Sequence, residues 1–486
     1  MSIINKVLFW PEMALVAVLV AGCVRPTVQL DTSAHTELLQ EDRKIAQKDG
    51  ISYQIIELTL EQAIERGYEK NLDARVAALE ELSQQKNVTL AQLRTLPGVQ
   101  LSGGYAGRSN DGASSSESII TGQQSLEPSR STEMSRRVAA LEVNWNLLDA
   151  ALALADAAKT NEEVGVARER YAKVIQNVER DIYTAYWRVS AYQESQEKVG
   201  QLLSEARDQI EKLDFAASKK LISSDQAGNK MALLVDRERS LRDLHNQMHL
   251  AEVELKSLLS LPMNAKLVLI TKSRDISDDV SRLTMGDSTS LEWEALHSRP
   301  EMREEILKKN ISIRDTHREV YQTFPGLSLI HSREYDSNKY LVDPNWANFS
   351  AKIVQTITGI ITLPDRYDAA KRKEAVADAR RQALNAAIIA QFHMARMRLA
   401  SMEEAYMRSL LAKKAASRKS HAASGKRMQG FASGLDDLVA RMELQLETMR
   451  AGMVYADYQD AYAAMKSTLG QSVTERPQKI AVEGAL

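Results

Sequence analysis

The segment LEVNWNLLDAALALADAAK, Leu141 to Lys159, changes its repeat halfway along. Leu141, Val143, Trp145 and Leu147 alternate with Glu142, Asn144 and Asn146, the two-residue period of a strand with unlike faces. From Leu148 onward Ala and Leu dominate, as in a helix. A strand thus runs into a helix with almost no turn, and the fold must be one that needs such a joint.

The whole chain narrows the choice. Its 486 residues suffice for two or three domains by length alone. The formal net charge of -2 leaves no basic excess to neutralise phosphates, which argues against nucleic acid as a partner. Aromatic residues are only 5% and Pro only 10, a composition suited to long, water-exposed helices rather than a thick core. One Cys forbids an intrachain disulfide. Beyond the N-terminus no run reaches the roughly 18 to 20 apolar residues of a membrane-spanning helix.

At the N-terminus, Lys6 precedes MALVAVLVAGC, Met13 to Cys23. Val20-Ala21-Gly22-Cys23 resembles the lipobox of bacterial lipoproteins, so residues 1–22 read as a signal peptide and Cys23 as the lipid-bearing residue. An ordinary signal peptide with an incidental Cys is the other reading. Val24, rather than Asp, follows the Cys, which by resemblance to enteric lipoproteins favours transfer to the outer membrane. Such a lipid anchors but does not span. Residues 23–57 form an N-terminal extension.

The remainder is duplicated in plan. LTLEQAIERGYEKNLDAR (Leu58 to Arg75) has a weaker echo in SLEWEALHSRPEMREE (Ser290 to Glu305). LPGVQLSGGY (Leu96 to Tyr105) follows the first and FPGLSLIHSREY (Phe324 to Tyr335) the second; each Pro ends a helix and opens an extended segment. The expected order in both halves is helix, strand, loop, strand, long helix, tip, helix. The first repeat spans 58–266, with strands at about 98–108 and 137–147, a long helix 148–217 and a tip at about 218–225. A linker follows at 267–289. The second repeat spans 290–470, with strands at about 326–335 and 348–363, a long helix 365–427 and a tip at about 428–437; 471–486 is a tail. Val178, Ile182, Ala185, Val189, Tyr192, Val199, Leu203, Ala206, Ile210 and Leu213 step by three and four, with Gln196 filling the gap, as in a coiled-coil seam. The alternating strands fit either a barrel wall with lipid outside and water inside or a half-buried sheet of a soluble domain.

In this order the motifs resemble the TolC family of outer-membrane channel proteins, lipoprotein branch, over roughly Leu58 to Gly470. The resemblance implies a mainly α fold with β: a trimeric α/β-barrel to which each chain gives four transmembrane strands and long coiled-coil periplasmic helices. It implies a homotrimer in the outer membrane that serves as the passive exit duct of a tripartite efflux pump or type I secretion system. The partners would be a periplasmic adaptor and an inner-membrane pump or ABC transporter, with no cofactor apart from the lipid on Cys23. LISSDQAGNKM (Leu221 to Met231) resembles the first periplasmic tip, with Ser224 as helix cap and Asp225 at a position that helps hold the closed mouth. GFASGLDDLVARMEL (Gly430 to Leu444) resembles the second, with Asp436 at the first of two acidic positions of the constriction. The sequence departs from the family at Val439, Ala432 and Lys219, so the second acidic ring and a latch Arg found in one member are not conveyed. Adjacent Asp437 could take over part of that charge. Read without the family, Ser224, Asp225 and Asp436 are helix-capping residues.

No GxxxxGK phosphate loop occurs, and nothing places a nucleophile beside a base, so an enzyme is not expected. His245 and His249 are the one pair at metal-ligand spacing and read as a solvated face. Met394, Met397, Met402 and Met407 read as core filler. The competing reading is a lipid-anchored periplasmic adaptor or coiled-coil structural protein.

Overall fold

A computed structural model describes residues 36–41, 55–125, 127–271, 274, 276, 279–429 and 433–472. The signal segment 1–22, Cys23, Ala432 and residues 473–486 of the tail lie outside the described residues. In chain order the elements are β1 (Ile55–Leu58), α1 (Leu60–Lys70), α2 (Leu72–Leu93), β2 (Gly98–Gly107), β3 (Ala113–Ser114), β4 (Ser129–Arg130), β5 (Ser135–Asn146), α3 (Leu147–Ser218) and α4 (Ser224–Leu258). They continue with β6 (Lys266–Leu269), α5 (Val280–Met285), α6 (Ser288–Ser298), α7 (Pro300–Tyr321), β7 (Gly326–Asp336), β8 (Asn345–Val354), α8 (Ile357–Ile361), α9 (Leu363–Met428) and α10 (Gly434–Thr468).

Asn146 explains the abrupt joint at the start of α3. It is the last residue of β5, and its side-chain oxygen accepts hydrogen bonds from the backbone N–H groups of Leu148 (3.0 Å) and Asp149 (3.3 Å). One residue therefore ends the strand and caps the helix, satisfying donors that would otherwise be orphaned. Asn71 plays a similar double role, closing α1 and capping α2.

The second joint departs from expectation. The strand expected over about 348–363 runs only from Asn345 to Val354, and a helical turn, α8, interrupts the passage to α9. Ile357, Ile360 and Ile361 fall at i, i+3 and i+4, a helical spacing, and the run past Val354 has lost its two-residue alternation. Gln355 donates to the Thr323 carbonyl at 2.9 Å and fastens the insertion to the end of α7.

The main core lies partway along α3. Ile182 and Tyr186 of α3, Phe392 of α9, and Tyr455 and Tyr458 of α10 are buried together with Ile64 of α1. Burying each such side chain contributes on the order of 1.5–3 kcal/mol. Gly67 lets α1 lie close to α3: a Cβ there would stand 2.1 Å from Ile182 Cδ1. The short parallel pair β1–β6 packs beside this core, with Leu58 opposite Leu269. Farther along α3, Val199, Leu202 and Ala206 pack with Leu234 and Leu241 of α4 and with Leu438, Met442 and Leu446 of α10. The three-four stripe read from the sequence thus faces inward; Leu203, Ile210 and Leu213 at its far end are partly buried.

Candidate functional site

The four long strands form one antiparallel sheet in the order β2-β5-β7-β8. Pairing places Val99 opposite Val143, Leu101 opposite Leu141, Leu329 opposite Trp145 and Ala351, and Ile353 opposite Leu327. Directly opposed residues share a face, so these apolar residues make one surface. The other surface carries Gln100 opposite Glu142, Ser332 opposite Glu142 and Asn348, and Ser328 opposite Lys352. Its polar groups bond to one another: Glu334 accepts from Ser332 Oγ at 2.9 Å and from Asn348 Nδ2 at 2.7 Å, and Arg136 pairs with Asp336. Strand β2 is exposed along its whole length, and β8 nearly so, while the inner strands are partly covered. Each outer strand presents an unpaired row of backbone donors and acceptors.

No described helix is long and apolar enough to cross a membrane. Among the described residues no group of three or more His, Cys, Asp or Glu could hold a metal. His245 and His249 instead lie against the Tyr192 ring, with centroids 4.9 and 5.1 Å away.

At the opposite end of the helices are the two tips. Between α3 and α4 the cap is Ser223, not Ser224: the Ser223 hydroxyl accepts from the Gln226 N–H at 3.2 Å, and Ser224 is the first helical residue. The spacing Ser223-x-x-Gln226 is that of a capping box and was the legible signal. Asp225 is exposed in the first turn of α4 and accepts from Asn229 Nδ2 at 3.3 Å. Lys220, with φ 57°, takes the left-handed conformation that turns the chain.

At the start of α10, Ser433 and Asp436 form a reciprocal capping box. Ser433 Oγ accepts from the Asp436 N–H at 3.2 Å, and Asp436 Oδ2 accepts from the Ser433 N–H at 3.3 Å. Asp436 remains exposed. Asp437 does not supply a free charge beside it: its side chain is only 4% exposed and turned into the helix bundle. It accepts from Ser424 Oγ at 2.5 Å, Arg427 Nη1 at 2.8 Å and Arg441 Nε at 3.2 Å. Burial alone would raise its pKa, but the bonds from Ser424 and Arg427 and the charges of Arg441 and Arg427 outweigh that and hold it below the ordinary 3.8. Arg441 reaches on to Glu205 of α3, at 3.1 Å through Nη1. This cluster of Ser424, Arg427, Arg441 and Glu205 was missed in the sequence; only the i,i+4 spacing of Asp437 and Arg441 announces any of it.

No protein-family model matches the chain, and no curated protein sequence matches it. Solved structures do. The outer-membrane channel OprN is similar at 15% identity, over 85% of this chain and 89% of that one, with a TM-score of 0.62. The CmeC outer membrane channel of Campylobacter jejuni is similar at 14% identity, over 86% and 87%, with a TM-score of 0.63. The MtrE outer membrane channel of Neisseria gonorrhoeae, solved in its open state, is similar at 13% identity, over 85% and 89%, with a TM-score of 0.62. Long helices, a four-stranded sheet with two unlike faces and paired helical tips thus occur here in the fold of the outer-membrane channel proteins.

Proposed function

We propose that the chain is one third of a passive exit duct. Three copies, each giving four strands, pool twelve strands into a closed barrel in the outer membrane, and their helices carry the same wall through the periplasm. The observation that carries this reading is the sheet itself, with one apolar face, one polar face and two open edges. Because four is even, β2 and β8 run in opposite directions. Strand β8 of one copy can then pair antiparallel with β2 of the next, leaving no edge in contact with lipid.

The dimensions agree. The ten residues of β2 extend about 34 Å, and at a tilt of about 40° they rise about 26 Å, the height of the apolar band of an outer-membrane barrel. The 72 residues of α3 and 66 of α9 extend about 110 and about 100 Å. A duct of this kind does no chemistry. A proton-driven pump or an ATP-driven transporter in the inner membrane supplies the energy, through an adaptor that meets the tips. Three copies of Asp436 ring the narrow mouth and favour cations there. A lipid on Cys23 tethers the N-terminus to the membrane.

Electrophoresis with and without heating, together with planar-bilayer recordings of the purified full chain, tests the proposal. A heat-modifiable trimer with steady conductance is expected; a water-soluble single chain without conductance would overturn it.

A further inference from the structure

The apolar face of the sheet carries two cations that the duct does not use. Register places Arg137 opposite Tyr105, and Arg333 opposite Leu141 and Ala347, so both arginines lie on the apolar surface. Both are exposed, and neither side chain has a hydrogen-bond or ion-pair partner among the described residues. Arg136, one residue away on the polar face, is paired with Asp336. The acids of the four strands, Glu142, Glu334 and Asp336, all fall on that polar face. A second copy therefore cannot bring a carboxylate to the arginines from its own strands, whichever edge it docks on. Of the loop acids at that end of the sheet, Asp111 is paired with Arg130 and Glu133 with Lys339, which leaves the place open to an anion from outside the protein.

The geometry points to a phosphorylated lipid headgroup of the outer leaflet, held by Arg137 and Arg333; this rests on the barrel reading above. Arg137 sits at the end of the sheet away from the long helices, beside Tyr105, and Tyr335 lies two residues beyond Arg333 on the same face. Interfacial aromatics of this kind mark the headgroup level. Arg333 lies about 13 Å along the strand direction from Arg137. Its long side chain can run over apolar surface toward the same level and leave its guanidinium among the headgroups. Two planar guanidinium groups at that level match the bidentate geometry of phosphate oxygens.

The experiment reconstitutes the full chain with equal amounts of bisphosphorylated lipid A and the same lipid stripped of phosphate, then weighs the retained lipids by mass spectrometry. Enrichment of the phosphorylated form is expected, falling about fivefold for Arg333→Gln and about thirtyfold for Arg137→Gln with Arg333→Gln. The corresponding Lys variants should keep most of it, and Lys352→Gln on the polar face all of it. Equal retention of both lipids, or enrichment that survives the double Gln variant, would sink the assignment. So would displacement by millimolar inorganic phosphate, because a free anion would then be the ligand. Bilayer currents from the same preparations separate the two ideas: conductance without enrichment removes only the lipid site, whereas absent conductance removes the barrel beneath it. If the double variant does not assemble, Arg333→Gln alone decides.

Discussion

At the tip between α3 and α4, the side-chain hydrogen bonds among the described residues are exposed and join neighbours at most four residues apart. At the tip between α9 and α10, a buried carboxylate gathers Ser424 and Arg427 from one helix and Arg441 from the next, and Arg441 continues to Glu205 on α3. Lys419 and Glu443 add a second, exposed tie between the same two helices. One tip is held by local caps, each worth about 1 kcal/mol. The other is held across three helices by charges that are hard to separate one at a time. Movement at this end of the molecule should therefore begin at the first tip, and opening of the second should need the Asp437 cluster to come apart.

Removing Asp437 should produce the largest effect. Asp437→Ala leaves two arginines facing a buried gap, and a cost of about 2–3 kcal/mol is expected, less than for a fully buried pair because both arginines reach water. Hydrogen exchange in α9 and α10 near the tip should speed up by well over tenfold, with little change near α4. Equal acceleration at both tips would erase the contrast. Acid provides the same test without mutation. The folded pKa of Asp437 lies below its unfolded value, so its contribution is complete above about pH 4 and disappears as pH falls through the folded value. The opening free energy at the second tip, obtained from exchange rates after correction for the intrinsic pH dependence of amide exchange, should be flat through neutral pH and fall below pH 4; a change between pH 6 and 8 would point to another group.

Arg441→Met cuts both of its carboxylate contacts but leaves Arg427 on Asp437, so about 1–2 kcal/mol is expected. Glu205→Gln should cost less than Arg441→Met. If the two cost the same, the helix-to-helix arm through Glu205 is the whole of the effect and Asp437 is held by Arg427 and Ser424 without help from Arg441.

These contrasts were unevenly legible in the sequence. Periodicity marked the strands at β2, β5 and β7 to within a residue or two, and the long helices similarly, because such patterns are local and repeated many times. The end of β8 was not legible: an apolar run with no charge between Ile353 and Leu363 suits a strand or a helical turn, and only the tie of Gln355 to Thr323 breaks the balance. Ser223 and Ser224 are alike as helix caps in the sequence until Gln226, three residues after Ser223, is counted. The Asp437 cluster was hidden for a deeper reason: Glu205 and Arg441 lie 236 residues apart, and no local pattern brings them together.

Asp436 separates a cap from a charge. Its carboxylate both completes the capping box with Ser433 and lies exposed at the proposed mouth. Asp436→Ala should cost about 1 kcal/mol of tip stability and lower the cation preference of bilayer currents. Asp436→Asn retains an acceptor for Ser433 and removes the charge, so it should change selectivity while tip exchange stays nearly constant. Unaltered currents in both variants would take Asp436 out of the mouth and leave it a cap.

The smallest effect lies at the first tip, where it can be read most cleanly. Ser223→Ala removes the acceptor of the Gln226 N–H and should cost about 1 kcal/mol, speeding exchange in the first turn of α4 several-fold. Ser224→Ala places a better helix former at the first helical position, where the side chain has no capping bond, and should change stability by less than about 0.5 kcal/mol. The two variants make the same change at adjacent residues, so unfolded-state effects largely cancel between them. If Ser224→Ala proved the costlier change, the cap would sit one residue later than the hydrogen bond to Gln226 requires, and α4 would begin with Asp225 rather than Ser224.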